Sequence, residues 1–172
     1  MTATGRSLGA LLRSDEDPED SPEKRRKSKD LVLAFFRAIA AKDPQGLSEA
    51  LSPDAFYEIP FSESGSTEPA AHRRYVGRDQ VIDFWMQTAS AGTKNLGAEE
   101  LELSITADGG RLFIEQRGNM VMADGKSYRN RYVFRFEFED AKIRSVREYY
   151  NPVVSAYAFG RPIAGSVKID KL

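Results

Sequence analysis

Apolar residues recur at helical spacing in the first half of the chain. In the segment SKDLVLAFFRAIAAKD, Leu31, Phe35 and Ile39 recur at every fourth position, which predicts a helix with a wide apolar face. The Asp-Pro pair at 43–44 is typical of a helix N-terminus and predicts a second, short helix. Gly77 precedes a third helical segment, GRDQVIDFWMQTA. The first half therefore predicts three helices.

The second half of the chain has the period of a β-strand. Leu101, Leu103 and Ile105 alternate with polar residues, as in a half-buried strand. The predicted strands cover residues 55–61, about 98–105, 111–122, 128–138 and 143–150. Turn sequences such as the Asp-Gly of ADGK separate them. The polar segment SESGSTEPAAHRR at 62–74 predicts a loop.

Helices followed by consecutive antiparallel strands predict an α+β fold. We expect three N-terminal helices to pack on a curved, mainly antiparallel sheet and to form a cone whose open mouth is a natural pocket. Residues 1–27 predict a disordered tail, because an acidic cluster precedes a basic one and aromatic residues are absent. A short helix at residues 8–12 that docks on a partner subunit is the alternative. Residues 28–155 would then form the domain and 156–172 a C-terminal extension.

The composition excludes several kinds of site. Across 172 residues, 25 Lys and Arg stand against 26 Asp and Glu, and the net charge of −1 argues against nucleic-acid binding. Cysteine is absent and His72 is the single histidine, which excludes thiolate and multi-histidine metal sites. No glycine motif for phosphate or nucleotide occurs, so we expect no cofactor and no metal. Without a membrane-spanning apolar run or a secretory signal, we expect a cytoplasmic protein with no membrane partner.

Glu148 is the first candidate for chemistry. It shares one face of the last strand with Val146 and Tyr150. If that face lines the cone, desolvation among aromatic side chains would raise the pKa of Glu148 and let it act as an acid or base near neutrality. The alternative is a surface salt bridge with Arg147 or Arg131.

A second set of candidates lies on one face of the strand predicted at 111–122. Glu115, Arg117 and Asn119 alternate there with other residues. Asn119 can hold a carbonyl group or a water molecule. A buried ion pair between Glu115 and Arg117 without a catalytic role is the alternative.

Aromatic residues and the histidine complete the list of candidates. Most aromatic residues belong to the core, but a buried tyrosine or tryptophan also needs a partner for its polar atom. Tyr57 and Tyr132 are candidates for a hydrogen bond to a substrate oxygen. His72 stands in a polar loop and is expected to be exposed, unless the loop folds over the mouth of the cone. The candidate substrate-binding residues are Tyr57, Trp85, Glu115, Tyr132, Tyr150 and His72. Tyr128 is expected to be a core aromatic residue.

Three strings carry a resemblance to a known superfamily. They are FFRAIAAKDPQGLSEALSPDAFYEIP, YVGRDQVIDFW and YVFRFEFEDAKIRSVREYYNP, and together they cover roughly residues 28–155. In order and spacing the chain resembles the nuclear transport factor 2-like superfamily, and within it the SnoaL-like polyketide cyclases and the phenazine-biosynthesis A/B proteins. The resemblance implies a cone with a small-molecule pocket, a homodimer and a pocket glutamate at Glu148. It also implies that the sheet face opposite the pocket, where we expect Arg131, Arg135, Glu137 and Arg147, is the dimer surface.

The chain departs from the superfamily at two positions. Limonene-type epoxide hydrolases carry an Arg-x-Asp pair where this chain has Arg117-Gly118-Asn119, and an amide cannot accept a proton as a carboxylate does. Phenazine A/B-like proteins carry a histidine in the third helix where this chain has Phe84 or a neighbour. The departures bear on which mechanism can operate.

Three functions remain open at this point. The first is a cofactor-independent enzyme of specialised metabolism that cyclises, isomerises or dehydrates a hydrophobic, carbonyl-bearing substrate, with Glu148, Asn119 and Arg117 as catalytic residues. The second is a limonene-type epoxide hydrolase. The third is a non-catalytic binding or assembly module. Fold alone does not choose among them.

Overall fold

The computed structural model describes residues 9, 17–66, 68 and 70–161. In this part of the chain four helices accompany a seven-stranded sheet. The helices are α1 (Pro22–Ala41), α2 (Pro44–Ala50), α3 (Arg78–Ser90) and α4 (Pro152–Ala158). The strands are β1 (Leu51–Ile59), β2 (Arg73–Val76), β3 (Lys94–Ile105), β4 (Arg111–Val121), β5 (Ser127–Tyr128), β6 (Arg131–Glu139) and β7 (Lys142–Tyr150). The predicted α+β fold is confirmed, with one short helix more than expected.

Helix α1 begins inside the segment that the sequence predicts to be a tail. The Ser21 hydroxyl caps the helix by accepting a hydrogen bond from the amide of Lys24, and a proline follows as the first helical residue. The Ser28 hydroxyl donates to the Gly109 carbonyl at 2.7 Å, which anchors the helix on the turn between β3 and β4. The structured region thus starts before residue 28, while the predicted helix at 8–12 lies almost wholly outside the described residues.

Helices α1 and α3 pack their apolar faces on the same side of the sheet. Phe35 of α1 is fully buried and stands edge-on to Phe136 of β6, with 5.7 Å between the ring centroids. Val81 and Trp85 are the buried residues of α3. The short helix α2 begins where predicted, because the Asp43 carboxylate caps the amide of Gly46 at 3.0 Å.

The sheet is open, curved and mixed. Its strands lie in the order β2-β1-β7-β6-β4-β3, with β5 paired to β4. The pair β1 and β7 is parallel and the other pairs are antiparallel, which agrees with the mainly antiparallel sheet expected. Strand β2 begins at the end of the segment predicted to be a loop. Its four residues include two arginines and show no clear alternation of apolar and polar residues, so the pattern does not predict a strand there. Bulges in β1, β3 and the β6–β7 pair add curvature.

The two faces of the sheet differ in chemistry. We call the face covered by the helices the inner face; Ile114, Phe134 and Glu148 lie in one row across it. The opposite face, which we call the outer face, carries interleaved arginines and glutamates. Its charged residues include Arg111, Glu115, Arg117, Arg131, Arg135, Glu137 and Arg147. The site is therefore to be sought between the inner face and the helices.

The end of the chain folds back on the sheet. The Asn151 side chain caps α4 by accepting from the amides of Val153 and Val154, and Ser155 and Ala156 are buried. Part of the predicted C-terminal extension thus belongs to the fold. Its remainder, residues 162–172, lies outside the described residues.

Candidate active site

A buried carboxyl group and a buried phenol form the centre of the inner face. Glu148 of β7 is 8% exposed and Tyr57 of the neighbouring strand β1 is fully buried. The parallel register sets Tyr57 opposite Val146, and the Tyr57 hydroxyl donates a hydrogen bond to Oε2 of Glu148. Two adjacent strands thus hold the acid and its donor in place.

Burial alters the ionisation of both groups. Desolvation raises the pKa of Glu148 from its ordinary value of 4.5 to about 7, although the hydrogen bond from Tyr57 and the charge of Arg73 favour the ionised form. Desolvation and the neighbouring Glu148 charge hold the pKa of Tyr57 well above its ordinary value. Near neutrality Glu148 can therefore either accept or donate a proton, while Tyr57 remains a hydrogen-bond donor.

Aromatic rings enclose this pair. The Tyr57 ring lies 5.1 Å from Phe84 and 5.2 Å from Trp85, both on α3. On the other side, Phe134 lies directly across the strand pair from Glu148. These rings exclude water, which accounts for the desolvation of the carboxyl group.

A second polar cluster, which we call the Glu63 cluster, lies at the edge of the inner face. Oε1 of Glu63 accepts from the hydroxyls of Tyr150 and Ser155, each at 2.6 Å. Its Oε2 is paired with Arg73 at 3.0 Å and with Arg161. The cluster ties the loop after β1 to β2, to the end of β7 and to the segment that contains α4.

The Glu63 cluster holds its members in fixed states. Burial raises the pKa of Glu63, but the hydrogen bonds of Ser155 and Tyr150 and the charges of Arg73 and Arg161 bring it below its ordinary value. Tyr150 donates to Glu63 and accepts from Nη2 of Arg73 at 2.9 Å, so its hydroxyl proton is committed. Neither Glu63 nor Arg73 is among the residues predicted from the sequence. Glu63 lies in an irregular loop, and periodicity gives no signal there.

Two more of the predicted tyrosines form a separate group. The Tyr132 hydroxyl donates to the Tyr128 hydroxyl at 3.0 Å, and the Asn130 amide donates to the same oxygen at 3.1 Å. Asn130 is buried and also donates to the Asn151 carbonyl at 2.9 Å. It lies between β5 and β6, where the strand predicted at 128–138 is interrupted. The hydroxyl of Tyr132 thus has a protein partner of its own.

The predicted trio on β4 does not join this site. Glu115, Arg117 and Asn119 share a face, as expected, but it is the outer face. Arg117 is paired with Glu99 at 2.7 Å, and the Asn119 amide donates to the same carboxylate at 3.0 Å. The sheet stands between these side chains and Glu148, so the structure does not support the expectation that Arg117 and Asn119 act on the same substrate as Glu148.

His72 also lies away from the carboxyl group. Its Nε2 is 3.2 Å from Oε1 of Glu58, whose other oxygen accepts from Nε of Arg147 at 2.7 Å. Glu58 and Arg147 pair across β1 and β7 on the outer face. His72 is partly exposed and contacts this outer ion-pair group rather than Glu148.

Two surface depressions lie outside the carboxyl site. One, of about 490 Å³, lies beside the β3–β4 turn and is lined by residues such as Thr106 and Arg111. The other, of about 300 Å³, is lined by residues of β3, β4, β6 and β7, among them Glu115 and Tyr149. Neither is lined by Glu148, which is enclosed by side chains in the state described.

The helices, the curved sheet and the enclosed acid together define an α+β cone of the nuclear transport factor 2-like kind. The chain belongs to the SnoaL-like domain family, whose model matches residues 32–146. The resemblance inferred from the sequence strings is thus confirmed. Among the described residues, none of the helices has the length and apolar character of a membrane span.

Individual relatives are distant in sequence but similar in fold. The uncharacterised protein YesE of Bacillus subtilis (strain 168) is 26% identical over 136 residues, which covers 78% of this chain and 88% of YesE. A Bacillus subtilis structure provisionally described as an isomerase superposes with a TM-score of 0.68 at 22% identity, covering 83% of this chain and 99% of the other. A phenazine biosynthesis-related protein of Pseudomonas aeruginosa gives a TM-score of 0.61 at 16% identity, covering 94% and 98%. At these identities the superpositions establish the fold alone.

Proposed function

We propose that the protein is a cofactor-independent acid–base enzyme that isomerises, cyclises or dehydrates a hydrophobic, carbonyl-bearing small molecule. The observation that carries the proposal is the buried Glu148, which has a pKa of about 7 and accepts a hydrogen bond from Tyr57. A group with that pKa exchanges a proton readily at neutral pH. The isomerase and phenazine-related descriptions of structural neighbours are in keeping with this chemistry.

In the proposed step the Glu148 carboxylate removes a proton from the carbon next to the substrate carbonyl. The electron pair of the broken C–H bond moves towards the carbonyl oxygen, and the proton stays on Glu148 until it returns to the substrate at another atom. Once Glu148 is protonated, its neutral carboxyl group is a weaker acceptor than the carboxylate. The Tyr57 hydroxyl can then donate its hydrogen bond to the enolate oxygen of the substrate. The apolar rings strengthen each of these contacts by excluding water.

The experiment that tests the proposal replaces Glu148 by Gln. The amide keeps the size and polarity of the side chain but cannot carry the proton. We expect turnover of a ketone substrate to fall by roughly 10²–10⁴-fold while ligand affinity is retained. The matched control is Glu19→Gln, an exposed glutamate ahead of α1 and away from strand β3. Equal turnover by the two variants would remove Glu148 from the mechanism.

A binding module is the second candidate function. The observation that favours it is that rings fill the space around Glu148, and the two depressions described lie elsewhere. A binding module would bind ketones with equal affinity in the wild-type and Glu148→Gln proteins and would turn over none of them. No contact of the described residues favours epoxide opening, because Arg117 and Asn119 are on the outer face.

We also propose that the protein is a cytoplasmic homodimer. Strand β3 lies at the edge of the sheet and leaves Leu96, Leu101 and Leu103 more than half exposed. A long edge strand with exposed leucines promotes aggregation unless another chain covers it. Size-exclusion chromatography with light scattering should give twice the monomer mass for the wild-type protein. The Leu101→Lys variant should give a lower mass. A monomeric wild-type protein would contradict this proposal.

A further inference from the structure

Trp85 carries a buried hydrogen-bond donor without an acceptor. The residue is 9% exposed, and among the described residues its indole Nε1 atom has no hydrogen-bond partner. Buried polar atoms in folded proteins are paired in the large majority of cases, because an unpaired donor carries a desolvation penalty. This donor therefore requires an explanation.

The other buried unpaired donors of the described residues differ from that of Trp85. All of them are arginine Nε atoms, and each of these guanidinium groups makes another contact through a terminal nitrogen. The residues are Arg73, Arg78, Arg117 and Arg135. Tryptophan has one N–H only, so the whole polar capacity of the Trp85 side chain is unused.

The position of Trp85 connects this donor to Glu148. The indole ring stands edge-on to Tyr57, with centroids 5.2 Å apart and an interplanar angle of 84°. The Tyr57 hydroxyl in turn contacts Glu148. Phe35 and Phe84 contact the indole at 5.9 and 5.3 Å. The indole ring is thus separated from the carboxyl group by the Tyr57 side chain and lies in apolar surroundings.

We infer that the indole N–H of Trp85 binds the carbonyl oxygen of an uncharged, apolar ketone, and so determines which ligands the inner site accepts. The inference depends on the proposed function only for the location of the site, not for catalysis. Tyr57 is committed to Glu148 before proton transfer, so Trp85 supplies the donor that the free site can offer to an incoming ligand.

The charges near the site favour a neutral ligand. A carboxylate ligand would meet the negative charge of Glu63, and Arg73, the cation whose charge acts on Glu148, is already paired with Glu63. An uncharged carbonyl oxygen needs one neutral donor and no counter-ion, and the rings bind the hydrocarbon part. A ketone therefore matches both the donor and its surroundings.

A single NMR signal tests the inference on the intact protein. Trp85 is the one tryptophan of the chain, so labelled indole nitrogen gives one N–H cross-peak. The probes are α-tetralone and tetralin, which share a bicyclic skeleton and differ by the carbonyl oxygen. We expect a saturable downfield shift of the cross-peak with α-tetralone and none with tetralin. Equal responses, or no saturable response to the ketone, would overturn the inference. If the indole N–H instead donates to the ring face of Tyr57 or Phe35, the ketone should give no saturable response.

The variant Trp85→Phe provides a second measurement. Phenylalanine keeps an aromatic ring and removes the donor, so the preference for α-tetralone over tetralin in ligand-observed NMR should fall by roughly tenfold, as expected for one lost hydrogen bond. An unchanged preference would contradict the inference. If the variant fails to fold, the wild-type titration still decides.

The protein Glu148→Gln separates this inference from the proposed function. If Trp85 binds the ketone, the cross-peak of Glu148→Gln still shifts with α-tetralone, whether or not Glu148 takes part in turnover. If Glu148 is catalytic but Trp85 is not a ligand donor, Glu148→Gln loses turnover and wild-type protein shows no ketone-specific shift. The two failures therefore have different signatures.

Discussion

Glu148 and Glu63 are both largely buried, yet their ionisation is shifted in opposite directions. Glu148 receives one hydrogen bond, from Tyr57, and desolvation raises its pKa to about 7. Glu63 accepts from two hydroxyls and pairs with two arginines, and its pKa is lowered despite burial. Desolvation is the largest single influence on both carboxylates; the several donors and cations around Glu63 together outweigh it, whereas those near Glu148 do not.

The contrast separates two tasks within one small region. A carboxyl group whose pKa lies near neutrality can transfer protons, whereas a carboxylate with several fixed partners serves as a structural centre. Glu63 ties the loop after β1 to Tyr150 and Ser155, next to the site of Glu148. Changing either residue should therefore produce effects of different kinds.

The largest stability effect is expected for Glu63→Ala. The change leaves Arg73 without its carboxylate partner and leaves the Tyr150 and Ser155 hydroxyls without an acceptor. Leaving these two buried hydroxyls without their acceptor costs about 1–3 kcal/mol each in the free energy of unfolding. The arginines contribute less, because both are more than a third exposed and solvent screens their pairs with Glu63. Urea denaturation followed by circular dichroism measures the loss. The control Glu19→Gln should stay within about 0.5 kcal/mol of wild type, and a similarly small loss for Glu63→Ala would show that the cluster is not structural.

The next effect is a pH-dependent stabilisation by Glu148→Gln. The folded-state pKa of Glu148 is about 7 against an ordinary value of 4.5, so the folded protein binds more protons than the unfolded chain between these two pH values. The stability contributed by protonated Glu148 is complete below the lower value and is lost as the pH rises through about 7. Glutamine does not ionise and avoids that loss.

We therefore expect Glu148→Gln to be more stable than wild type by about 3 kcal/mol above neutrality and to lose this advantage at acidic pH. Denaturation across the pH range measures the difference. A constant difference at all pH values would mean that Glu148 titrates like an exposed glutamate.

Gly118→Ala should have a smaller effect. A Cβ atom at this position would lie 2.9 Å from Cε2 of Tyr132, closer than normal packing allows. The ring must move, and overpacking of this kind typically costs about 1–3 kcal/mol. Thermal denaturation should detect the loss, and the hydrogen bond from Tyr132 to Tyr128 should weaken with it. The control is Ser127→Ala, which changes an exposed strand residue and should leave the thermal stability unchanged. Gly125→Ala would be a poor control, because Gly125 has a positive φ of 85° that alanine adopts only with strain.

The sequence predicted which residues of one strand share a face, but it did not predict which face of the sheet each group lies on. Alternation placed Val146, Glu148 and Tyr150 on one face, and all of them lie on the inner face. It also grouped Arg117 with Asn119 correctly, but alternation within one strand does not say which face is buried. The apolar residues at 112 and 114 mark the inner face of β4 and indicate the opposite parity.

The Glu63 cluster could not be predicted by the same means. Its members come from a loop, two strands, a helix and the segment after it, and none of them repeats with a period. A buried carboxylate in an irregular loop is brought to its partners by the path of the whole chain. The pairing of β2 with β1, which carries Arg73 to the inner face, was not predicted either.

The smallest effect should come from Arg117→Ala on the outer face. Arg117 pairs with Glu99 and Glu100, but its side chain is 36% exposed and solvent screens both pairs. The loss of unfolding free energy should be about 1 kcal/mol or less, and salt should reduce it further. The sheet separates Arg117 from Glu148, so the pH dependence of stability and the Trp85 cross-peak should both remain as in wild type. A change in either one would mean that the outer face communicates with the buried acid, and would return Arg117 to the site that the sequence first suggested.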